Sequence, residues 1–253
     1  MKNIVNILKI AVLTTVIIFL MAACDTGSHD DDDEDGPTHY AGTLEIDGQQ
    51  VWVQNKKAIR QNDDWYLEYE GDNNIKVVTG FSYDAQGNVI NFQKSAGSGT
   101  IDKGVLSFKV PELSPKDLVN ADVLNSFFKE YKEVTFNPSD VKGNNIIPTT
   151  SPNNEYLNRE GLFLLNTSVG LESVIFVYVD KDCRITGKPA EISWDKEERS
   201  YISRTDSALD ISLKKGWNTL YRMEVFNDHG YDNVSMGINN PGGFRWVIYI
   251  KEE

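Results

Sequence analysis

From His39 onward apolar residues recur at every second position, and the runs are broken at short intervals by Asn, Asp and Gly. A period of two sends alternate side chains to opposite faces of a strand, so such a chain buries its apolar half only by pairing strands into sheets. Trp65-Tyr66-Leu67-Glu68-Tyr69-Glu70 shows the pattern, with Trp65, Leu67 and Tyr69 on one face and Tyr66, Glu68 and Glu70 on the other. Asp47-Gly48, two residues that accept positive φ, predicts a hairpin between 42–46 and 50–54. Further pairings are predicted for 76–83 with 88–92 across Asp84-Ala85-Gln86-Gly87, and for 99–101 with 105–108 across Asp102-Lys103-Gly104. Strands are predicted again at 173–179, 190–194, 200–204, 208–213, 217–225 and 244–250.

One segment departs from this period. Ser114-Pro115-Lys116-Asp117 supplies an N-cap, a Pro at the first helical position and an acid behind it, and Leu124, Phe127, Phe128 and Tyr131 then repeat at helical spacing. This predicts one helix near 115–132, its apolar stripe packed over an end or edge of a sheet. Pro138, Gly143, Pro148 and Pro152 with several Asn, Ser and Thr make 137–154 the best candidate boundary. The expected fold is therefore mainly β, with antiparallel β-sandwich-like lobes at 38–137 and 155–253. A single larger sandwich enclosing both halves is the alternative.

The N-terminus has a different character. Lys2 and Lys9 precede an apolar run from Ile10 to Phe19, too short to span a bilayer, and Leu20-Met21-Ala22-Ala23-Cys24 closes it. This order predicts an export signal over 1–23. Ala22-Ala23-Cys24 resembles the lipobox of bacterial lipoproteins, which implies that Cys24 is acylated and becomes the first residue of the mature chain. Acyl chains contribute about 0.8 kcal/mol per buried methylene, so the implied partner is a lipid bilayer that the protein is tethered to rather than spans. With Cys24 acylated, Cys183 stands alone and no structural disulfide is expected.

Residues 24–37 then form the predicted spacer, in which Asp25, Asp30 to Asp33, Glu34 and Asp35 repel one another and stay solvated. Ser28-His29-Asp30-Asp31-Asp32-Asp33 resembles the acidic export signal of Bacteroidetes surface lipoproteins, implying an outer-membrane and cell-surface location. In enteric-type bacteria Asp25 beside the Cys would instead imply retention at the inner membrane. The whole chain carries 25 basic and 38 acidic residues, a net charge of -13, which argues against nucleic acid as a partner.

A third similarity spans most of the mature chain. Val174 to Asp182 with Ile185-Thr186-Gly187, Leu213 to Asn218, Asn240-Pro241 and Arg245-Trp246-Val247 resemble the C-terminal part of a group of uncharacterised lipoproteins of spirochaetes and Bacteroidetes. Ser98 to Ile101 and Gly104 to Phe108 are similar to their N-terminal part. These are strand and turn motifs; they imply a fold and a location and bring no assigned site.

No catalytic set emerges from the residue types. His29 lies in the spacer and His39 opens the first strand, leaving His229 in a turn-rich loop, and no G-x-S-x-G elbow occurs. Zinc fails on ligand count, no Gly-rich loop precedes a helix, and no cofactor is expected. Calcium could be offered oxygens by Asp180 and Asp182, or by Asp228, Asp232 and Asn233, though solvated turn residues are the plainer reading. Glu68 and Glu70, about 7 Å apart on one strand face, give the alternative of a carbohydrate-active enzyme using paired carboxylates. Five Trp remain, of which Trp52, Trp65 and Trp217 are the candidates to present rings from a wet sheet face to a glycan or protein. The functional expectation is a membrane-anchored, non-enzymatic binding or surface-interaction module.

Overall fold

The computed structural model describes residues 39–54, 66–80, 82–83, 89–90, 94–128, 130–150, 161–166, 172–196, 199–205, 207–226 and 231–249. The signal, the spacer with Cys24, Trp65 and His229 lie outside the described residues.

The fold is mainly β. In chain order the strands are β1 (His39–Tyr40), β2 (Leu44–Gln54), β3 (Tyr66–Glu68), β4 (Asn73–Thr79), β5 (Ser82–Tyr83), β6 (Val89–Ile90) and β7 (Ser95–Asp102). There follow β8 (Val105–Val110), β9 (Val119–Asn120), β10 (Lys132–Asn137), β11 (Lys142–Thr149), β12 (Gly161–Asn166), β13 (Glu172–Val179) and β14 (Cys183–Lys188). The remainder are β15 (Glu191–Lys196), β16 (Arg199–Arg204), β17 (Leu209–Leu213), β18 (Gly216–Phe226), β19 (Tyr231–Gly237) and β20 (Phe244–Tyr249).

Hydrogen-bonded neighbours lead from β13 through β12, β20, β2, β8, β7, β4 and β11 back to β13, a closed circuit. Every step is antiparallel except β2 beside β20, where Val51, Trp52 and Val53 pair with Trp246, Val247 and Ile248. Strands from both predicted lobes thus join in one sheet, and the folded part is one compact unit, Pro37–Glu253, rather than lobes at 38–137 and 155–253. The predicted boundary is also corrected: Lys142–Thr149 is a strand paired with β4, β9 and β13, because Pro148 falls beyond Ile146, where its ladder to β13 has ended.

Two cores result. Leu44, Val77, Leu106, Phe108, Phe176, Tyr178, Trp217 and Trp246 pack together within the circuit. Val177, Val179, Leu220 and Met236 pack on the other side, against Cys183, Ile185, Leu209, Ile211 and Leu213 of the small sheet β10-β14-β17. Strand β13 therefore alternates between two interiors, which is why Val174-Ile175-Phe176-Val177-Tyr178-Val179 is apolar without a break. Both cores and all these pairings lie inside Pro37–Glu253, which holds within itself the contacts needed to fold.

Two local predictions are revised. Asp47-Gly48 does not turn the chain: β2 runs straight through, its register against β8 shifting between Ile46 and Gln49 so that both residues oppose Ser107. Gly48 at φ +67° forms a bulge there, and the Ser107 hydroxyl donates to Asp47 Oδ1. The single helix at 115–132 is broken into a 3-10 turn at Pro115–Asp117, a short α-helix at Ala121–Leu124 and a 3-10 turn at Asn125–Phe128. Val119 and Asn120 interrupt it because they pair with Gly143 and Lys142 of β11. Leu124, Phe128 and Tyr131 of the predicted stripe are nonetheless buried, the last two in the second core. The predicted pairing of 99–101 with 105–108 is present as β7 with β8; that of 76–83 with 88–92 is reduced to Ser82 and Tyr83 with Ile90 and Val89, because Lys76 to Thr79 belong to β4 and pair with β7 and β11 instead.

Candidate binding crevice and its aromatic shelf

One edge of β13 pairs with β18 throughout Ser173–Val179. The other edge is shared end to end: Phe176 to Val179 face β11, and Glu172 and Ser173 face β12. Beyond Ile146 strand β11 leaves β13 to follow β4, while β12 follows β20 over its whole length. Between the diverging strands, beside Val174 and Ile175, the wall opens into a crevice of about 240 Å³.

Its walls are Ile147 and Pro148 on one side and Leu162, Phe163 and Leu164 on the other. Phe176 and Trp246 close the inner end, their rings stacked with centroids 6.2 Å apart and planes 11° apart. The Phe108 ring meets Trp246 edge-on at 5.6 Å, so the end wall is held by the first core rather than by a loop. No charged side chain lines the crevice among the described residues.

At the mouth Phe163 is 37% exposed. It lies opposite Val247, which lies opposite Trp52, which lies opposite Glu68, so the four residues form a row across β12, β20, β2 and β3 on the face turned away from the first core, where Val247 itself is fully buried. The Arg245 guanidinium stands 4.1 Å from the Trp52 ring centroid, a cation–π contact on this same face. Phe163 and the half-buried Trp52 thus make a shelf beside the crevice, with Val247 fully buried between them and the Arg245 guanidinium against Trp52.

Of the candidate tryptophans that the structure describes, Trp52 lies here, half-buried beneath Arg245. Trp65 lies outside the described residues. Trp217 is fully buried, its ring meeting Tyr178 at 5.3 Å, and offers no surface to a ligand. That corrects the expectation: β18 forms a wall of the first core, and the residue that turns inward just after Gly216 is the one that fills it. The crevice itself escaped the sequence reading, since it arises where strands far apart in the chain diverge; Pro148 inside a strand was the available signal.

The other candidate groups are accounted for locally. Glu68 and Glu70 are exposed, and neither lines the crevice. Asp180 Oδ1 accepts the Lys142 N–H at 2.9 Å, and Asp182 Oδ1 accepts the Lys215 N–H at 2.8 Å while Lys214 Nζ approaches its second oxygen. These carboxylates hold turns together, and the Lys215 N–H, then Lys214, keep the Asp182 carboxyl below its usual range. Burial, reinforced by Asp180 and Asp182, pushes the Cys183 thiol up to about 11, the opposite of what a nucleophile needs. Among the described residues no three His, Cys, Asp or Glu side chains converge to hold a metal, and no helix is long and apolar enough to cross a membrane.

The chain matches no protein-family model, no curated protein and no solved structure.

Proposed function

We propose that the protein is an exported lipoprotein, held at the bacterial outer membrane through acylated Cys24, whose β unit is a non-enzymatic binding module. The residue order before Cys24 and the acidic tract after it support the anchor and its location. The observation that carries the binding role is the crevice, an opening in an otherwise closed sheet circuit with no charged side chain among its described lining residues and with Trp52 and Phe163 on the shelf outside it. Concave, largely apolar sites with a few polar groups at the rim are the usual form of a ligand site.

The test is to present the Pro37–Glu253 unit to glycan and protein arrays and to assay the captured ligands for chemical change. A ligand held unaltered, and released by Trp52→Ala or Phe163→Ala, is the expected result. Turnover that disappears in Glu68→Gln or Glu70→Gln would replace this reading with a carbohydrate-active enzyme.

A further inference from the structure

Building on the reading of this unit as a binding module, we infer that the crevice seats a small anionic amphiphile, one ring or one short alkyl segment inside and the anionic group outside beside Arg245. Size sets the first limit. An apolar cavity of roughly 150 Å³ accommodates a benzene, so a crevice of about 240 Å³ suits a single ring or a short chain and not a pair of long acyl chains.

Charge sets the second. The walls present Ile147, Pro148, Leu162, Leu164, Val174 and Ile175, and an ion placed among them would lose its hydration without gaining a partner. The seated end is therefore neutral. Outside, Arg245 lies diagonally across from Phe163, at the about 7–8 Å typical of such neighbours on one sheet face. Its five fixed N–H donors suit a carboxylate or phosphate in two-pronged contact. Glu68 lies beyond Trp52, on the side away from the crevice, so the cationic group is the nearer of the two. A ligand anchored in the crevice reaches Arg245 first.

A free carboxylate amphiphile and the acyl segment of a membrane lipid share this chemistry, and the test separates them. The Pro37–Glu253 unit is titrated with 1-anilinonaphthalene-8-sulfonate, an anionic probe whose pendant phenyl is the single ring to be seated, and with its neutral counterpart N-phenyl-1-naphthylamine, in competition with decanoate or with phosphatidylglycerol vesicles. The expected result is that both probes bind and that decanoate displaces them. Ile147→Trp, which fills the mouth without touching the core, weakens both by at least about tenfold at unchanged melting temperature. Arg245→Gln weakens the anionic probe by about tenfold and the neutral probe by less than about twofold. Methyl chemical shifts of Ile147, Leu164 and Ile175 move with decanoate in the unaltered protein, a readout independent of any variant.

Full affinity in a folded Ile147→Trp protein, equal weakening of both probes by Arg245→Gln, shifts confined to other methyls, or displacement by vesicles but not by decanoate would each overturn the inference. Turnover of an array ligand would remove the non-enzymatic reading and leave this site standing. Absence of probe binding would remove the site, and the module reading would then stand only on array capture released by Trp52→Ala.

Discussion

Trp246 and Val247 are neighbours on β20 that face opposite sides of the same wall. Trp246 closes the crevice from within the first core, and Val247, buried on the other face, lies between Phe163 and Trp52 of the shelf. The strand's alternation thus connects interior and surface at one place, and a change in β20 register would spoil the crevice and the shelf together.

Acylation is expected at Cys24. Radiolabelled palmitate should enter the expressed protein and be absent from Cys24→Ala; label that persists in the variant would refute the anchor.

The Cys183 thiol is buried and pushed up to about 11. In Pro37–Glu253, where Cys183 is the single cysteine, a thiol reagent at neutral pH should leave the native protein unlabelled and label it stoichiometrically in urea. Rapid labelling without denaturant would show that the second core is not closed around it.

Gly104 sits at φ +82° in the β7–β8 turn, and a Cβ there would lie 1.7 Å from the Tyr69 carbonyl oxygen. Gly104→Ala should therefore cost at least about 2 kcal/mol in urea unfolding, since strain and a backbone clash act together. Gly42→Ala, where a Cβ meets nothing within 4 Å, is the control and should be nearly neutral.

Burial alone would raise the Asp117 carboxyl, but hydrogen bonds from Lys94 and Ser114 and the Lys94 charge outweigh it and hold the group below 3.8. A carboxyl depressed in the folded state adds stability above its unfolded value and loses it as pH falls through the folded one. Asp117→Asn should therefore lower the melting temperature at pH 6, with the difference from the parent protein shrinking as pH drops below about 3.8. A constant difference from pH 6 to pH 2 would refute the assignment.

Local chemistry was legible where one turn decides the outcome. Asp102-Lys103-Gly104 fixes the β7–β8 hairpin because Lys103 and Gly104 both take positive φ, as a two-residue hairpin turn requires. Asp47-Gly48 has the same local preference and a different result, since the strand opposite supplies one residue, Ser107, against two. The helical stripe identified which side chains are buried, yet the backbone between them followed the ladder from Val119 and Asn120 to β11. Trp52 was within reach of sequence reasoning as an aromatic on the face away from the core, where it is half-buried. Trp217 was not separable from it, because which face of β18 turns inward depends on β13, some 40 residues earlier in the chain. The crevice depends on β11 and β12 meeting the same edge of β13, a relationship that no local pattern encodes.

The parallel pairing of Val51 with Trp246 has a consequence for the order of assembly. Strand β2 is among the first to be synthesised and β20 is the latest of those described, so the first core has an open side until nearly the whole chain is present. Contacts so distant in sequence slow folding and keep unpaired edges exposed meanwhile. A chain that emerges from a translocation pore N-terminus first would then hold β2 paired with β3 and β8 but with the edge that takes β20 open throughout its passage. Truncation before Phe244 should yield a species that proteases clear, not a smaller working domain.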